Sequence, residues 1–281
     1  MLSSIVINPL QLVLGVLLAA AISIAAYRVR SLSRSGAMAA TLLGIVVFGL
    51  GGLAWAVLLM AFFVSSSALS RLFGKRKRDL NEKFSKGSQR DAAQVAANGG
   101  VSGIFVLLHL LYPQAAWPWL AFAGTLAAVN ADTWATELGV LSPVLPRLIT
   151  TGKPVERGSS GGITLAGTLA SLTGAALIAV LGALLRPADL FPVLGAQIPL
   201  IIFLISLAGL AGSLLDSLLG ATVQAIYTCP ACRKETERHP VHLCGSPTVL
   251  LRGWPWLSND WVNTFCALAG GILAGISLYL L

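Results

Sequence analysis

The sequence predicts an all-α polytopic membrane protein of about eight transmembrane helices, N-terminus outside, with a small cytoplasmic zinc-binding loop. Three observations predict it. The 281 residues are 56% hydrophobic and only 11% charged, with mean hydropathy +0.82, whereas a soluble domain carries about 25% charged residues. The apolar residues fall into runs close to the ~20 residues that a bilayer requires. The cations gather in alternate loops between those runs.

In chain order, the first run is 5–27. It is too long for a signal-peptide core and has no basic stretch before it, so it is read as a retained helix. The run 36–73 is too long for one span and is broken by GLGG at 49–52, which predicts a hairpin of 36–49 and 53–69. The runs 91–112, 117–138, 161–185, 198–227 and 260–281 complete the set. The 29 glycines suit close contacts between membrane helices. All of 1–281 is read as one integral membrane domain, with loops at 71–90, 139–160 and 228–259.

With the N-terminus outside, every one of the 19 Lys and Arg residues except Arg186 falls on the cytoplasmic side. This is the positive-inside pattern. It places the protein in the cell's cytoplasmic membrane with its large loops inside. The net charge of +8 is then a property of topology and of anionic headgroups, and no nucleic acid is expected.

Polar residues recur at helical spacing beside those loops. Asp91, Gln94 and Asn98 form one stripe, and Ser213, Asp216, Ser217, Gly220 and Gln224 a second. Asn259, Asp260 and Asn263 form a third. In NADTWATELG, Asn130, Thr133 and Glu137 share one face, while Asp132 and Thr136 share another. An ionised side chain at the bilayer centre costs roughly 2.5–3.5 kcal/mol, whereas an interhelical hydrogen bond contributes only about 0.6 kcal/mol. Amides and hydroxyls serve as adhesion; carboxylates are expensive for that purpose and mark a site. Carboxylates without buried His or Cys beside them favour a hard cation such as Mg²⁺. Asp132 and Glu137 are about 140° apart on an ideal helix. The helix is expected to bend or end between them, or they serve different ligands.

Downstream lies PRLITTGKPVERGSSGGIT, 146–164, with Arg147, Lys153 and Arg157 leading into a glycine-serine run that is expected to open the next helix. Cations and a glycine-rich helix N-terminus form an anion site. The P-loop pattern is absent. Carboxylates, cations and free N–H groups together are what phosphoryl transfer from a nucleotide requires. The run Arg71 to Arg78 is read as anchoring at anionic lipid. Lys86, Ser88 and Arg90 lead into the Asp91 stripe and are stronger candidates.

In CPACRKETERHPVHLCG, Cys229, Cys232, His242 and Cys244 predict a structural zinc site, with His239 as a spare ligand. A cytoplasmic location argues against a stable disulfide. Four protein ligands leave no open position, so no chemistry is assigned there. Cys266 and His109 are read as packing residues.

Four segments, KGSQRDAAQVAANGG, NADTWATELG, PRLITTGKPVERGSSGGIT and NDWVN, resemble the phytyl-phosphate kinase family of the plant vitamin E pathway. That family includes the animal transmembrane protein 19 group and prokaryotic members. The resemblance covers about 35–281. The family is distantly similar to the CTP-dependent dolichol and phytol kinases. The cysteine loop departs from the plant and animal members and looks like the prokaryotic branch.

The resemblance implies that CTP and an isoprenyl monophosphate, phytyl or geranylgeranyl, give CDP and the diphosphate. It implies Mg²⁺ on Asp132, Glu137 and Asp216, with Asp91 in second rank, and Lys153 among the catalytic groups. Lys153, Arg157 and the backbone of Gly158, Ser159, Gly161 and Gly162 would hold nucleotide phosphates, with Arg147 nearby. Lys86 and Arg90 would hold the acceptor phosphate. Asn98, Asn130 and Asn263 would orient groups or metal-bound water. Two other readings stay open. A kinase or cytidylyltransferase acting on a lipid alcohol needs a base, which Asp132 could supply. A lipid-phosphate transporter would place its site nearer the midplane.

Overall fold

The computed structural model describes residues 8–73, 89–188, 190 and 197–280. Its first helix, α1 (Pro9–Arg28), starts where Asn8 accepts hydrogen bonds from the N–H groups of Leu10 and Gln11. Helix α2 (Arg34–Gly51) is capped by Ser33, and its last stretch, Ile45–Gly51, is π-helical. It turns at Gly52, with φ +91°, into α3 (Leu53–Phe73). That is the expected hairpin, broken where a residue without Cβ is required. Helix α4 (Ala92–Leu111) opens with a reciprocal cap between Asp91 and Gln94 and contains a π-turn at Ala96–Gly100. Then come α5 (Trp117–Gly139), α6 (Leu165–Leu184), α7 (Ile198–Thr222) and α8 (Asn259–Ile276).

Two corrections to the sequence reading concern boundaries. Residues 161–164 are not helical: Gly162–Ile163 forms β2, antiparallel to β1 (Arg147–Leu148), and Thr164 caps α6. Helix α7 stops at Thr222, and Ile226–Cys229 is β3, the middle strand of a small sheet with β4 (Lys234–Thr236) and β5 (Val249–Arg252). The IYTC stretch is β-branched and aromatic and suits a strand. The zinc-loop region thus carries a three-stranded sheet on an otherwise helical protein.

Among the described residues, seven helices are long and apolar enough to cross a membrane. Helix α5 is not one of the seven, although it has 23 residues. It is the central helix: Pro118 through Ala131 are all buried, and α3, α4, α6, α7 and α8 pack around it. Small residues permit this approach. A Cβ on Gly124 would strike Ala274 and the Gly270 carbonyl of α8, and one on Gly212 of α7 would stand 2.6 Å from the Cβ of Ala128. At the end away from the polar residues, Trp55 packs edge-on against Trp119 and Phe122 at 5.0 and 4.7 Å. His109 packs against Trp55 in the same cluster, its ring tilted by 34°. By contrast, α1 shows Leu10, Val13, Leu14 and Leu17 at its surface, as a lipid-facing helix does.

Candidate functional site

Six helix ends meet at one end of the bundle: the C-terminal ends of α3, α5 and α7 and the N-terminal ends of α4, α6 and α8. They enclose a cavity of about 770 Å³. Its lining includes Arg90, Asn98, Asp132, Glu137, Arg157, Gly158, Ser159, Gly161, Gly162, Asp216 and Asn263. These residues, from five separate stretches of sequence, therefore share one chamber.

The carboxylates divide into two groups. Asp216 lies within electrostatic reach of Asp132 and of Glu237, and its buried Oδ2 has no hydrogen-bond partner. Glu137 accepts a hydrogen bond from Ser70 Oγ at 2.8 Å and interacts electrostatically with Arg90. Helix α5 runs unbroken through both Asp132 and Glu137. The expected bend or stop is absent; the cavity wraps around the helix end, and the two side chains serve different neighbours. Asp91 is elsewhere: its carboxylate caps α4 by accepting from the Gln94 N–H at 2.9 Å, and it does not line the cavity. An N-cap lies outside the helical stripe, which is why the expected Asp91–Asn98 face does not form.

Arg90 is fixed at its backbone and its head. Its N–H donates to the Ser31 carbonyl, and its own carbonyl accepts from the Ser33 N–H, both at 3.0 Å. Its guanidinium donates to Ser66 Oγ and lies over the rings of Phe62 and Phe63. Burial lowers its pKa to about 10, with Glu137 opposing, so it keeps its charge at neutral pH. Lys86 and Ser88 lie outside the described residues, as does most of the basic loop.

The glycine-rich loop is a hairpin, not a helix start. Gly158 and Gly161 have φ of +76° and +81°, and a Cβ on Gly161 would lie 2.5 Å from the backbone of Ala221. The tight approach of loop to α7 thus requires glycine. Thr164 Oγ1 already takes the Gly167 N–H of α6, so that helix end is partly satisfied by its own cap. The hairpin also sorts the cations. Arg157 lines the cavity and donates to the Pro143 carbonyl at 3.0 Å. Lys153 and Arg147 are exposed and do not line it; Arg147 donates to the Gly152 carbonyl at 2.8 Å. The turn carries Lys153 outward because β1 and β2 pair at the hairpin base and leave its tip in solvent. Asn130 also lies outside the cavity lining: fully buried, it accepts from Ser65 Oγ and donates to the Gly174 carbonyl, joining α3, α5 and α6.

Sequence reasoning missed Glu237 and the role of Gln224. Gln224, 1% exposed, accepts from Ser160 Oγ at 2.6 Å and donates to Glu237 Oε1 at 2.9 Å. It ties the glycine-rich loop to the cysteine loop. Arg252 on β5 adds a bond to the Gly220 carbonyl at 2.9 Å. The signal for Glu237 was weak, because it is one acid inside a charged loop with nothing in its spacing to aim it inward.

In the cysteine loop, Cys229, Cys232, His242 and Cys244 bring one ligand atom each within 4.8 Å of one another. Among the described residues this is the only group of three or more His, Cys, Asp or Glu that does so; the cavity carboxylates form no such cage. Sulfur–sulfur and sulfur–nitrogen separations are 3.5 Å for Cys229–Cys244, 3.7 Å for Cys232–His242 and 3.2 Å for His242–Cys244. Tetrahedral Zn–S bonds of about 2.3 Å place ligands roughly 3.8 Å apart, so the donor set fits such an ion. Hydrogen bonding to His242 holds the Cys244 thiol down at about 5, whereas hydrogen bonding to Cys244 pushes Cys232 up to about 11. His239 is not in the group; it stacks on Tyr227 at 4.4 Å.

A family model described as integral membrane protein DUF92 matches residues 17–271. The chain belongs to this family. As a DUF92 protein it is 35% identical to Protein PGR of Arabidopsis thaliana, over 95% of this chain and 96% of that one. It is 28% identical to an uncharacterized membrane protein of Methanocaldococcus jannaschii, over 96% and 95% of the two chains. It is 27% identical to Protein VTE6, chloroplastic, of Arabidopsis thaliana, over 88% of this chain and 65% of that protein. The four motifs singled out in the sequence all lie within the residues matched by the family model. No solved structure matches the chain.

Proposed function

We propose that this DUF92 protein is a phosphotransferase that moves the γ-phosphoryl group of CTP to an isoprenyl monophosphate, giving CDP and the isoprenyl diphosphate. The observation that carries this reading is one cavity holding Asp132 and Asp216, the cations Arg90 and Arg157, and a glycine-rich loop. Family membership supports the acceptor class, through the resemblance to phytyl-phosphate kinases.

A phosphate oxygen of the acceptor forms the new bond to the γ-phosphorus. The bond from that phosphorus to the bridging β-phosphate oxygen breaks, and CDP leaves with the electron pair. The acceptor is already an anion, so the site needs positioning and charge neutralisation rather than a strong base. Asp132 and Asp216, with Glu237 within electrostatic reach of Asp216, would hold, directly or through water, Mg²⁺, which neutralises the nucleotide's phosphates when bound. The partnerless buried Oδ2 of Asp216 is what fits this assignment. Arg157 and the loop of Gly158, Ser159, Gly161 and Gly162 hold the nucleotide. Arg90 holds the acceptor phosphate, and Glu137 orients Arg90. Asn98 and Asn263 face the same space from α4 and α8. The protein spans the cell membrane with its central helix as an eighth span, the N-terminus outside, and the cavity open to the cytoplasm. The Cys229, Cys232, His242 and Cys244 group holds a structural Zn²⁺.

Purified protein is to be given CTP, ATP, UTP or GTP with phytyl and geranylgeranyl monophosphates and the matching alcohols. Diphosphate is expected from the monophosphates with CTP and Mg²⁺, and none from Asp216→Ala or Asp132→Ala. Product from the alcohols alone would replace the acceptor assignment. Movement of labelled lipid phosphate across the membrane without product would replace the enzyme with a transporter.

A further inference from the structure

A second cavity, of about 290 Å³, lies between α1, α2, α3 and α4. Its walls are almost wholly apolar: Ala40, Val47, Ala56 and Phe63 are typical. Three residues, Arg90, Gln94 and Asn98, line both this slot and the large polar cavity. The slot and the polar chamber therefore share one boundary, on which the half-buried Arg90 stands. We infer that this slot is the lipid-tail site: it takes the first two isoprene units of an isoprenyl monophosphate and presents the phosphate to Arg90. The inference rests on the phosphotransferase reading and deepens it.

Three physical points choose this occupant. First, the shape suits one chain. The wall from Leu53 to Phe63 is eleven residues of α3, and its ten steps span about 15 Å at 1.5 Å per residue. Spread over that length, the volume gives a slot on the order of 5 Å wide, and carbon atoms in contact stand 3.5–4.0 Å apart. One hydrocarbon chain fits, and the paired chains of a bilayer phospholipid do not. Second, the capacity is short. At about 30 Å³ per heavy atom, the share of a water molecule in the liquid, the slot holds on the order of ten carbons. Third, the slot opens sideways. Leu18, Ile22 and Leu53 line it and are 44%, 37% and 70% exposed on the lipid-facing surface. A longer tail leaves between the helices into the bilayer, where every further methylene is equally at home.

The boundary at Arg90 is rigid for the same reason that it is selective. The Arg90 backbone is clamped against the segment before α2, and a Cβ on Gly36 would strike the Arg90 carbonyl. Phe62 and Phe63 form one wall of the slot and carry the guanidinium over their rings. Tail wall and phosphate contact are thus one structural unit, so tail and head are read together.

The test uses full-length protein in nanodiscs and a geranylgeranyl monophosphate bearing a diazirine on its second isoprene unit, without nucleotide. Crosslinks are expected on α1–α3 around Ala40, Val47 and Ala56. Geranyl and geranylgeranyl monophosphates, matched by mole fraction in the bilayer, are expected to displace the label equally, and the one-unit isopentenyl monophosphate about tenfold more weakly. Ala56→Phe is expected to reduce labelling and to raise KM for the lipid acceptor about tenfold with KM for CTP unchanged. Should that variant fail to fold, wild-type crosslinking with the competitors decides alone. Label spread over the outer helix faces, or displaced equally by phosphatidylglycerol, overturns the slot. Diphosphate formation with crosslinks elsewhere overturns the slot and leaves the kinase. Crosslinks in the slot with no diphosphate formed leave the slot and remove the kinase.

Discussion

Two cations that look alike in the sequence have different fates. Lys153 and Arg157 sit four residues apart in one loop. Only Arg157 reaches the cavity, because pairing of β1 with β2 aims the glycine-rich limb inward and leaves the turn at Lys153 in solvent. Both side chains are exposed and so are screened by water and salt, but only a cation that lines the cavity can reach a phosphate bound there, where a charged hydrogen bond contributes about 1.5–3 kcal/mol. Arg157→Ala is expected to raise KM for the nucleotide at least tenfold, and Lys153→Ala to change it less than threefold. Steady-state kinetics at fixed acceptor checks this; the reverse order would return Lys153 to the site. The same scale shows what the sequence makes legible. Asp132 and Asp216 stand out because a carboxylate inside an apolar run is too costly to be adhesive. Asn130 looks equally marked, yet it bridges three helices away from the cavity lining, since an amide is cheap enough to serve as adhesion. Asp91 stands at the expected spacing and spends its carboxylate on a helix cap.

At the scale of elements, apolar runs locate the helices well and their ends poorly. Both misplaced ends lie where a polar loop folds back on the bundle: the start of α6, displaced by the β1–β2 hairpin, and the end of α7, displaced by β3. Hydropathy carries no information about such returns. Glu237 became a cavity residue for the same reason, since only the sheet fixes where its loop goes. This gives the metal group a consequence at a distance. Cys229 ends β3, and Cys232 to Cys244 close the loop that holds Glu237. Glu237 and Ser160 meet on Gln224, so loosening the cysteine loop is expected to loosen the glycine-rich loop. Wild-type protein is expected to carry about one zinc per chain, consistent with a four-ligand site. Cys229→Ser is expected to lose that zinc and, together with it, most of the affinity for CTP. Gln224→Ala separates the two effects: it should keep the zinc and still weaken CTP binding several-fold, as expected for a buried hydrogen-bonded link worth about 1–3 kcal/mol. Full CTP affinity in zinc-free Cys229→Ser would show the two loops to be uncoupled.

For the molecule as a whole, charge and cavity share one end. The described cations Arg28, Arg30, Arg34, Arg71, Arg90, Arg147, Lys153, Arg157, Arg233, Lys234, Arg238 and Arg252 all lie in, or at the edge of, the segments joining helices at the cavity end, and Arg186 alone follows a helix that ends at the other. An end so rich in cations is the one that the positive-inside rule assigns to the cytoplasm, where the proposed nucleotide would be met. The seven apolar helices alternate in direction only if α5 crosses as well, because α4 and α6 both begin at the cavity end and α5 must return the chain between them. Its burial explains how it can: Pro118 to Ala131 are enclosed by other helices, and Asp132 and Glu137 beyond them line the polar cavity, so the helix needs no apolar outer face. With the cavity end facing the cytoplasm, as proposed, an even number of crossings would put the start of α1 and the end of α8 on the outer side. A reporter enzyme active only outside the cytoplasm, joined after Leu281, is therefore expected to be active, and the same reporter placed between Lys153 and Pro154 to be silent. Adding a cytoplasm-dependent fluorescent reporter at each position should give the opposite pattern. An inactive C-terminal fusion that is nevertheless made and inserted would mean an odd number of crossings, and α5 would then have to enter and leave the membrane on the same side.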